Sequence, residues 1–340
     1  MTFKVITLGE IMLRLTPPEN KRIVQAESFN VIYGGGEANV SVSLANFGIN
    51  SYFVTRLPDN PVGQAALNEL RRFGVKTDFI KRGGKRLGIY FCENGASQRS
   101  SNVIYDRVMS AIATTKPGEF DWDQIFDGAD WYHFTGITPA LSDNMVEVTL
   151  ESLKKAREKG VKISCDLNYR AKLWSREKAG KEMSRLMEYV DVCIANEEDA
   201  EKVFDIKSGS DIEAGKLNIE GYLEVAEKLI ERFDLELVGS HLRISHNASL
   251  NDWMIVLADG KEYYQSAKYR IHIVDRVGGG DAFAGGLIYS LLTKKPLQEA
   301  VEFGAASSCL KQSIPGDFNH VSVKEVEDLA AGNASGRVKR

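Results

Sequence analysis

Cysteine is scarce in this chain, and the four that occur are scattered: Cys92, Cys165, Cys193 and Cys309 form no C-x-x-C pair. A disulfide frame and a cysteine zinc site are therefore excluded, and the thiols read as buried groups in a reducing compartment. Histidine is almost as rare. His133, His241, His246, His272 and His320 show no H-E-x-x-H spacing, so each reads as structural rather than as a metal ligand. No apolar run approaches the roughly 18 residues a membrane helix needs. The start, Met1-Thr-Phe-Lys4 running into a strand-like Val5-Ile-Thr-Leu8, lacks the apolar stretch of a signal peptide. A cytoplasmic location without membrane contact is the expectation. A basic excess is missing too: the net charge is −4, which argues against a nucleic-acid surface. Neither G-x-x-x-x-G-K-[ST] nor G-x-G-x-x-G occurs, so there is no Walker-type loop and little case for dinucleotide binding.

What remains is an ordinary globular composition, 43% hydrophobic and 26% charged over 340 residues. That suits one large α/β domain or two smaller ones. The most informative stretch is Asp275-Arg-Val-Gly-Gly-Gly-Asp-Ala-Phe-Ala-Gly-Gly286. An apolar β-type run, Ile271-His-Ile-Val274, precedes it, and the apolar Ala282, Phe283, Leu287, Ile288 and Leu291 follow at helical spacing. The pattern predicts strand, glycine turn, helix. Gly278, Gly279 and Gly280 would leave backbone N–H groups unobstructed at the positive end of a helix, which is a place to bind an anion. Asp281 beside them suits a base that takes a proton from a hydroxyl attacking a phosphoryl group. A structural reading also exists: glycine turns are common in α/β proteins, and Asp is a routine helix cap.

Elsewhere the chain alternates strand and helix. Val5 to Leu8 reads as a strand ending at Gly9-Glu10. After Phe29 to Tyr33 comes a second glycine cluster, Gly34 to Gly36. Val40, Leu44 and Phe47 then mark one helix face, stopped by Gly48; Val62, Ala66, Leu70 and Phe73 mark another, stopped by Gly74. Leu87 to Cys92 and Asn102 to Tyr105 flank a polar segment without helical periodicity and predict a β-hairpin-like insertion. Further strands are expected at Trp131 to Phe134, Ile163 to Cys165 and Val190 to Ala195. Ser142 and Asn196 are candidate helix caps, Val301 to Leu310 a small-residue helix, Asp205 to Asn218 a polar surface loop, and Ala331 to Arg340 a fraying tail. This is the grammar of an open, mostly parallel sheet, whose ligands sit beyond the carboxyl ends of the strands. Gly9-Glu10, Gly136, Asp166 to Arg170, Asn196 and Gly278 to Asp281 can all reach that rim.

With both glycine clusters in view, the chain resembles the ribokinase-like carbohydrate kinases, the phosphofructokinase-B family, over nearly its whole length. Gly34-Gly-Gly-Glu-Ala-Asn39 is similar to the family's sugar-contacting signature. Asn196-Glu-Glu-Asp199 is similar to its N-x-x-E element, and Val277-Gly-Gly-Gly-Asp-Ala-Phe283 to its anion-hole and base motif. Within the family, Leu8-Gly-Glu-Ile-Met-Leu-Arg14, Gly88-Ile-Tyr90, Tyr105-Asp-Arg107, Gly136-Ile-Thr-Pro-Ala140 and Asp166-Leu-Asn-Tyr-Arg170 look most like 2-keto-3-deoxygluconate kinases. The resemblance implies a three-layer α/β sandwich forming a single catalytic domain over 1–340. It adds a small β-sheet lid from about 11–33 and 86–108, with boundaries good to about 2–4 residues. It implies ATP and Mg²⁺ as cofactors and a small-molecule sugar acid as acceptor.

The resemblance also implies roles for residues. Asp281 is the catalytic base and Gly278, Gly279 and Gly280 the anion hole. Gly35, Tyr90, Tyr105, Arg107 and Arg170 are sugar contacts. Asn196, Glu198 and Asp199 lie on the nucleotide and magnesium side, with no direct protein ligand to the metal. Two arginines suit a carboxylate-bearing sugar, which guanidinium binds through paired N–H donors. Lid strands offer pairing edges, so a homo-oligomer contact is expected there. The chain departs from the family pattern at Arg276, where a small residue is usual. It departs again at Glu236-Leu-Val-Gly-Ser240, where His241-Leu-Arg243 replaces the glycine of the usual nucleotide loop. Fructokinase, ribokinase and other deoxy-sugar-acid kinase activities remain alternatives, as do a catalytically silent sugar-binding regulator and, more remotely, an oxidoreductase.

Overall fold

In the computed structural model, residues 3–207 and 219–333 are described. Their strands are β1 (Lys4–Leu8), β2 (Met12–Thr16), β3 (Asn30–Gly34), β4 (Asn50–Leu57), β5 (Ile80–Arg82), β6 (Gly88–Glu93), β7 (Asn102–Asp106), β8 (Trp131–Thr135), β9 (Lys162–Asp166), β10 (Val192–Ile194), β11 (Leu237–Asn247), β12 (Leu250–Ala258), β13 (Tyr263–Gln265) and β14 (Tyr269–His272). The helices are α1 (Gly36–Asn46), α2 (Pro61–Arg72), α3 (Trp122–Phe126), α4 (Ile137–Ala140), α5 (Asp143–Glu158), α6 (Arg176–Met187), α7 (Glu197–Phe204), α8 (Ile219–Phe233), α9 (Gly279–Leu292), α10 (Leu297–Gln312) and α11 (Val323–Ala330). The polar loop expected at 205–218 lies beyond residue 207 outside the described residues, as does the expected tail from residue 334 onward.

Ten strands form one sheet in the order β13-β12-β11-β10-β9-β8-β1-β4-β5, with β14 beside β12. From β11 to β5 every pairing is parallel. Parallel neighbours need crossover connections, and the helices supply them on both faces. On one face Val146, Leu150 and Leu153 of α5 pack with Met183 and Leu186 of α6 and Leu229 of α8. On the other, Val40 and Leu44 of α1 pack with Phe283 and Leu287 of α9 and Val301 and Ala305 of α10. The result is the α/β three-layer sandwich with a mostly parallel sheet. Helix ends follow local chemistry: Ser142 Oγ accepts from Met145 N at 3.2 Å, and Gly48 closes α1 with φ +83°.

A second sheet of four strands, β3-β2-β6-β7, stands apart from the first. The hairpin expected at Leu87 to Tyr105 is its β6–β7 pair, Tyr90 facing Tyr105. Three details differ from the sequence pattern. The strand before the glycine turn ends at His272, not Val274, because the chain then leaves the sheet: Val274 N and Asp275 N both donate to Gln312 O of α10. Val62 is 44% exposed, and α2 buries Gly63, Ala66, Leu67 and Leu70 instead. Finally, residues 237–247 run unbroken into an antiparallel hairpin with β12, through the stretch where a glycine loop is usual in the family.

Candidate active site

The two glycine clusters, far apart in sequence, meet above the carboxyl ends of the central strands. Gly278 caps α9 with φ +84°, a left-handed conformation that glycine adopts without strain. A side chain there would also strike the neighbouring turn, since a Cβ would lie 2.0 Å from Asp317 O. The first N–H groups of a helix have no intrahelical acceptor; here Gly279 N makes a long bond back to Arg276 O at 3.4 Å, and Gly278, Gly279 and Gly280 all line the cleft. At the start of α1, Gly35 passes so close to β1's exit that a Cβ would sit 1.9 Å from Glu10 O. That turn aims Asn39 across the gap: its Oδ1 accepts from Gly35 N at 3.2 Å and its Nδ2 donates to Asp281 Oδ2 at 2.6 Å. Burial pushes the Asp281 carboxyl up to about 6, against the opposing pull of the Asn39 hydrogen bond.

The cleft holds about 600 Å³ and is lined by all of the site residues expected from the sequence. On its sugar side Tyr90 is buried and donates from its hydroxyl to Asp317. Tyr105, 38% exposed, lies 5.8 Å from the Tyr90 ring, and the Arg107 guanidinium sits 5.4 Å from the Tyr105 ring centre. Arg107 is not free: its Nε donates to Glu10 Oε2 at 2.7 Å, and both side chains are buried. Arg170 is different. It is exposed, among the described residues its side chain bonds Tyr169 O alone, at 3.5 Å, and it pulls down the carboxyls of Asp166, Asp199 and Asp281 without pairing directly with any of them.

On the opposite side Asn196 caps α7, its Oδ1 accepting from Asp199 N at 2.7 Å and its Nδ2 donating to Asp199 Oδ2 at 2.9 Å. Asp199 also accepts from Tyr169 N at 3.2 Å, which ties the Asp166–Arg170 turn to α7. Burial pushes the Asp199 carboxyl up to about 6. The Asp166 carboxyl is raised well above its ordinary value as well, first through burial and then through Asp199 and Asp281 beside it. Glu198 is partnered by Lys202.

Sequence reasoning missed a buried network behind these residues. Arg14 is fully buried and bridges Asp275 and Asp317, each at 2.7 Å, while its Nε donates to Thr16 Oγ1 at 2.7 Å. Glu37, buried inside the first motif, accepts from Thr135 N, Thr135 Oγ1 and Thr138 Oγ1 at 3.0, 2.8 and 2.6 Å. Arg14 stood in a quoted motif, but nothing local in the sequence points to partners some three hundred residues away.

A buried carboxylate thus stands at the start of α9, beside a cleft that Arg107, Arg170, Arg243 and Arg276 line. The pfkB family carbohydrate kinase model matches residues 2–319. The chain is a pfkB family carbohydrate kinase. As such it is a phosphotransferase of carbohydrate metabolism. This kinase is 53% identical to a 2-dehydro-3-deoxygluconokinase structure from Thermotoga maritima, at a TM-score of 0.94 with 98% of this chain and 99% of that one covered. It is 34% identical to a 2-dehydro-3-deoxygalactonokinase from Haloferax volcanii, covering 99% of each. A fructokinase with bound ATP from Xylella fastidiosa shares its fold at 20% identity and a TM-score of 0.77, with 97% and 98% covered. Among the described residues no helix is long and apolar enough to cross a membrane.

Proposed function

We propose that this kinase transfers the terminal phosphoryl group of ATP to the terminal hydroxyl of 2-keto-3-deoxygluconate, giving the 6-phosphate. The observation that carries the reading is Asp281, held by Asn39 at the glycine turn, in a cleft also lined by an exposed Arg170 that has no carboxylate within ion-pair distance among the described residues. Asp281 takes the proton from the attacking hydroxyl. The N–H groups of Gly278 to Gly280 hold the charge on the phosphoryl in flight. Arg170 meets the sugar carboxylate, and Arg107 is set by Glu10 to donate its remaining N–H groups to the same end. Tyr90 and Tyr105 wall the sugar, and Gly35 leaves room for it. The four-stranded sheet serves as a lid whose closure excludes water, the competing acceptor. Its outer strands β3 and β7, with exposed Val31 and Ile104, suit a contact with a second copy.

Mg²⁺ fits the donor set. Asp199 adds to the burial that raises the Asp166 carboxyl, a repulsion that a divalent ion relieves. Among the described residues no three acidic, histidine or cysteine side chains converge as a ready cage, which suits an ion carried in by nucleotide phosphates and water. Bound there, it would neutralise phosphate charge, with Asn196, Glu198 and Asp199 around its water shell. The test of the whole reading is ADP release with 2-keto-3-deoxygluconate, its C4 epimer, fructose and ribose. Faster turnover of a neutral sugar would remove the acid-sugar assignment.

Two variants probe the cations. Arg170→Ala is expected to raise KM for the sugar acid by about 10–100-fold, the worth of a charge-assisted hydrogen bond, with KM for ATP and melting temperature nearly unchanged. Arg107→Ala should raise the same KM and also lower the melting temperature, because Glu10 is left buried without its partner. Equal losses on fructose would remove both from carboxylate recognition.

Arg276 is half-buried and donates to Ala248 O at 3.0 Å; burial first and then Arg243 beside it disfavour its charge, which Asp275 partly offsets, and neither guanidinium has a carboxylate within ion-pair distance among the described residues. Two adjacent cations without a directly paired acid among those residues suit an anion, and both line the cleft beside the glycine turn. Arg276→Thr is therefore expected to raise KM for ATP by about fivefold at low salt. The gap should narrow as salt screens the attraction, and the melting temperature should hold. A fall in melting temperature with unchanged KM would make Arg276 a structural residue.

A further inference from the structure

Glu10 stands between β1 and β2, where the chain passes from the large sheet into the small one. Its side chain is 3% exposed and lines the cleft together with Tyr90, Tyr105 and Arg107. The two contacts from Arg107, through Nε and Nη2, both fall on one carboxylate oxygen, Oε2. The other oxygen, Oε1, is buried and has no hydrogen-bond partner among the described residues. Holding Arg107 therefore accounts for only half of this carboxylate. Buried acceptors rarely go unmet, and an orphaned one asks for an explanation. The surroundings of Oε1 are kept clear by a glycine. Gly88, which faces Met12 at the start of β6, would place a Cβ 2.6 Å from Oε1. A carboxylate paired with a guanidinium can only accept hydrogen bonds. What meets Oε1 must therefore bring a donor, and the donors of a sugar are its hydroxyls.

We propose that Glu10 is a specificity-determining residue of the sugar site: its Oε1 accepts a hydrogen bond from the C4 hydroxyl of the sugar acid and so selects the configuration at that carbon. The inference rests on the reading of the acceptor as 2-keto-3-deoxygluconate. Arg107, held by Glu10, meets the carboxylate end of that molecule, and the C6 hydroxyl reaches Asp281 at the other. Counting from the carboxylate in the open-chain acid, C2 is a carbonyl and C3 carries no hydroxyl. The C4 hydroxyl is thus the first donor that Oε1 can meet. The C4 epimer turns this hydroxyl to the opposite side of the chain and leaves Oε1 buried and unmet. A site that binds a hydroxyl through a buried polar group discriminates against such a substrate, because the group loses its partner.

The test sets kcat/KM for 2-keto-3-deoxygluconate against two probes, its 4-deoxy analogue and its C4 epimer, with fructose as the neutral control. In the natural enzyme both probes are expected to fall behind by about 10–100-fold, the worth of a hydrogen bond to a charged group. Glu10→Ala should slow all three acids, because Arg107 loses its partner, and should narrow both gaps to within about threefold, since the deleted carboxylate can no longer tell the acids apart. Gly88→Ala is the second variant, and it decides the matter if Glu10→Ala fails to fold. Its Cβ crowds Oε1 and leaves the Arg107 contacts on Oε2, so the gaps should narrow while the epimer's own kcat/KM stays within a few-fold. Gaps that persist in the variants would overturn the role of Glu10, as would a natural enzyme that treats the parent acid and its 4-deoxy analogue alike. A gap to the 4-deoxy analogue with none to the epimer would overturn the selection at C4. Fructose outrunning every acid would instead remove the acid-sugar reading, and this inference with it.

Discussion

Asp281→Asn is expected to lower kcat by about 10²–10⁴-fold, the usual cost of a lost general base, while sugar binding stays within a few-fold. Asparagine keeps the size of the side chain and can still bond Asn39 after an amide flip, so the loss reads proton acceptance rather than packing. A pH profile gives the same residue a second signature. With its carboxyl pushed up to about 6, Asp281 is the wrong form for a base in acid and becomes ionised as pH rises. The rate in the natural enzyme should therefore climb through about pH 6 and level off above it. Asp199 titrates in the same range, so the decisive comparison is the variant, whose residual rate should lose the part of that limb owed to Asp281. Stability moves the other way. A carboxyl whose folded value lies above its ordinary 3.8 makes a contribution that is lost as pH rises between about 4 and 6. Asp281→Asn should accordingly melt higher than the natural enzyme at pH 8 and no higher at pH 4. Retention of the natural kcat would remove Asp281 from the role of base.

Arg14→Met should give the largest loss of stability of any single change outside the apolar core. Its guanidinium is fully buried between Asp275 and Asp317. Removing it strands two carboxylates away from water, and breaking a buried pair in this way costs about 3–5 kcal/mol. The melting temperature should fall by roughly 10 °C. Methionine keeps most of the volume, so the charge is the main thing lost. Adding Asp317→Asn to Arg14→Met should recover part of the drop, because it removes one stranded charge while an amide can still meet the Tyr90 hydroxyl. Thermal melts of the single and double variants decide the matter. If Arg14→Met melts within about 2 °C of the natural enzyme, the network does not hold the two turns together.

Much of the fold was legible because its signals are local. The Val40, Leu44 and Phe47 face, the Ser142 and Asn196 caps and the stop at Gly48 each arise within one or two helical turns, and the helices lie where those signals put them. The long β11–β12 hairpin was not legible, nor was the early end of β14. Strand pairing and the pull of Gln312 O on residues 274 and 275 are contacts between distant segments. Periodicity carries no trace of them.

The site divides along the same line. Asp281 and its glycines stand in one short run at the start of α9. The motifs in the sequence sufficed to place the chain among the pfkB carbohydrate kinases. What each cation is free to do was decided only by tertiary packing. Arg107 and Arg170 look alike as residues, yet one is bound to Glu10 and the other lines the cleft with no acid within ion-pair distance among the described residues. Arg14 and Lys311 look like surface cations in sequence and are among the most buried side chains in the molecule. A charge can be interred only where other segments bring it acceptors. Those acceptors, Asp275, Asp317 and the carbonyls around them, come together only once the whole sheet has closed.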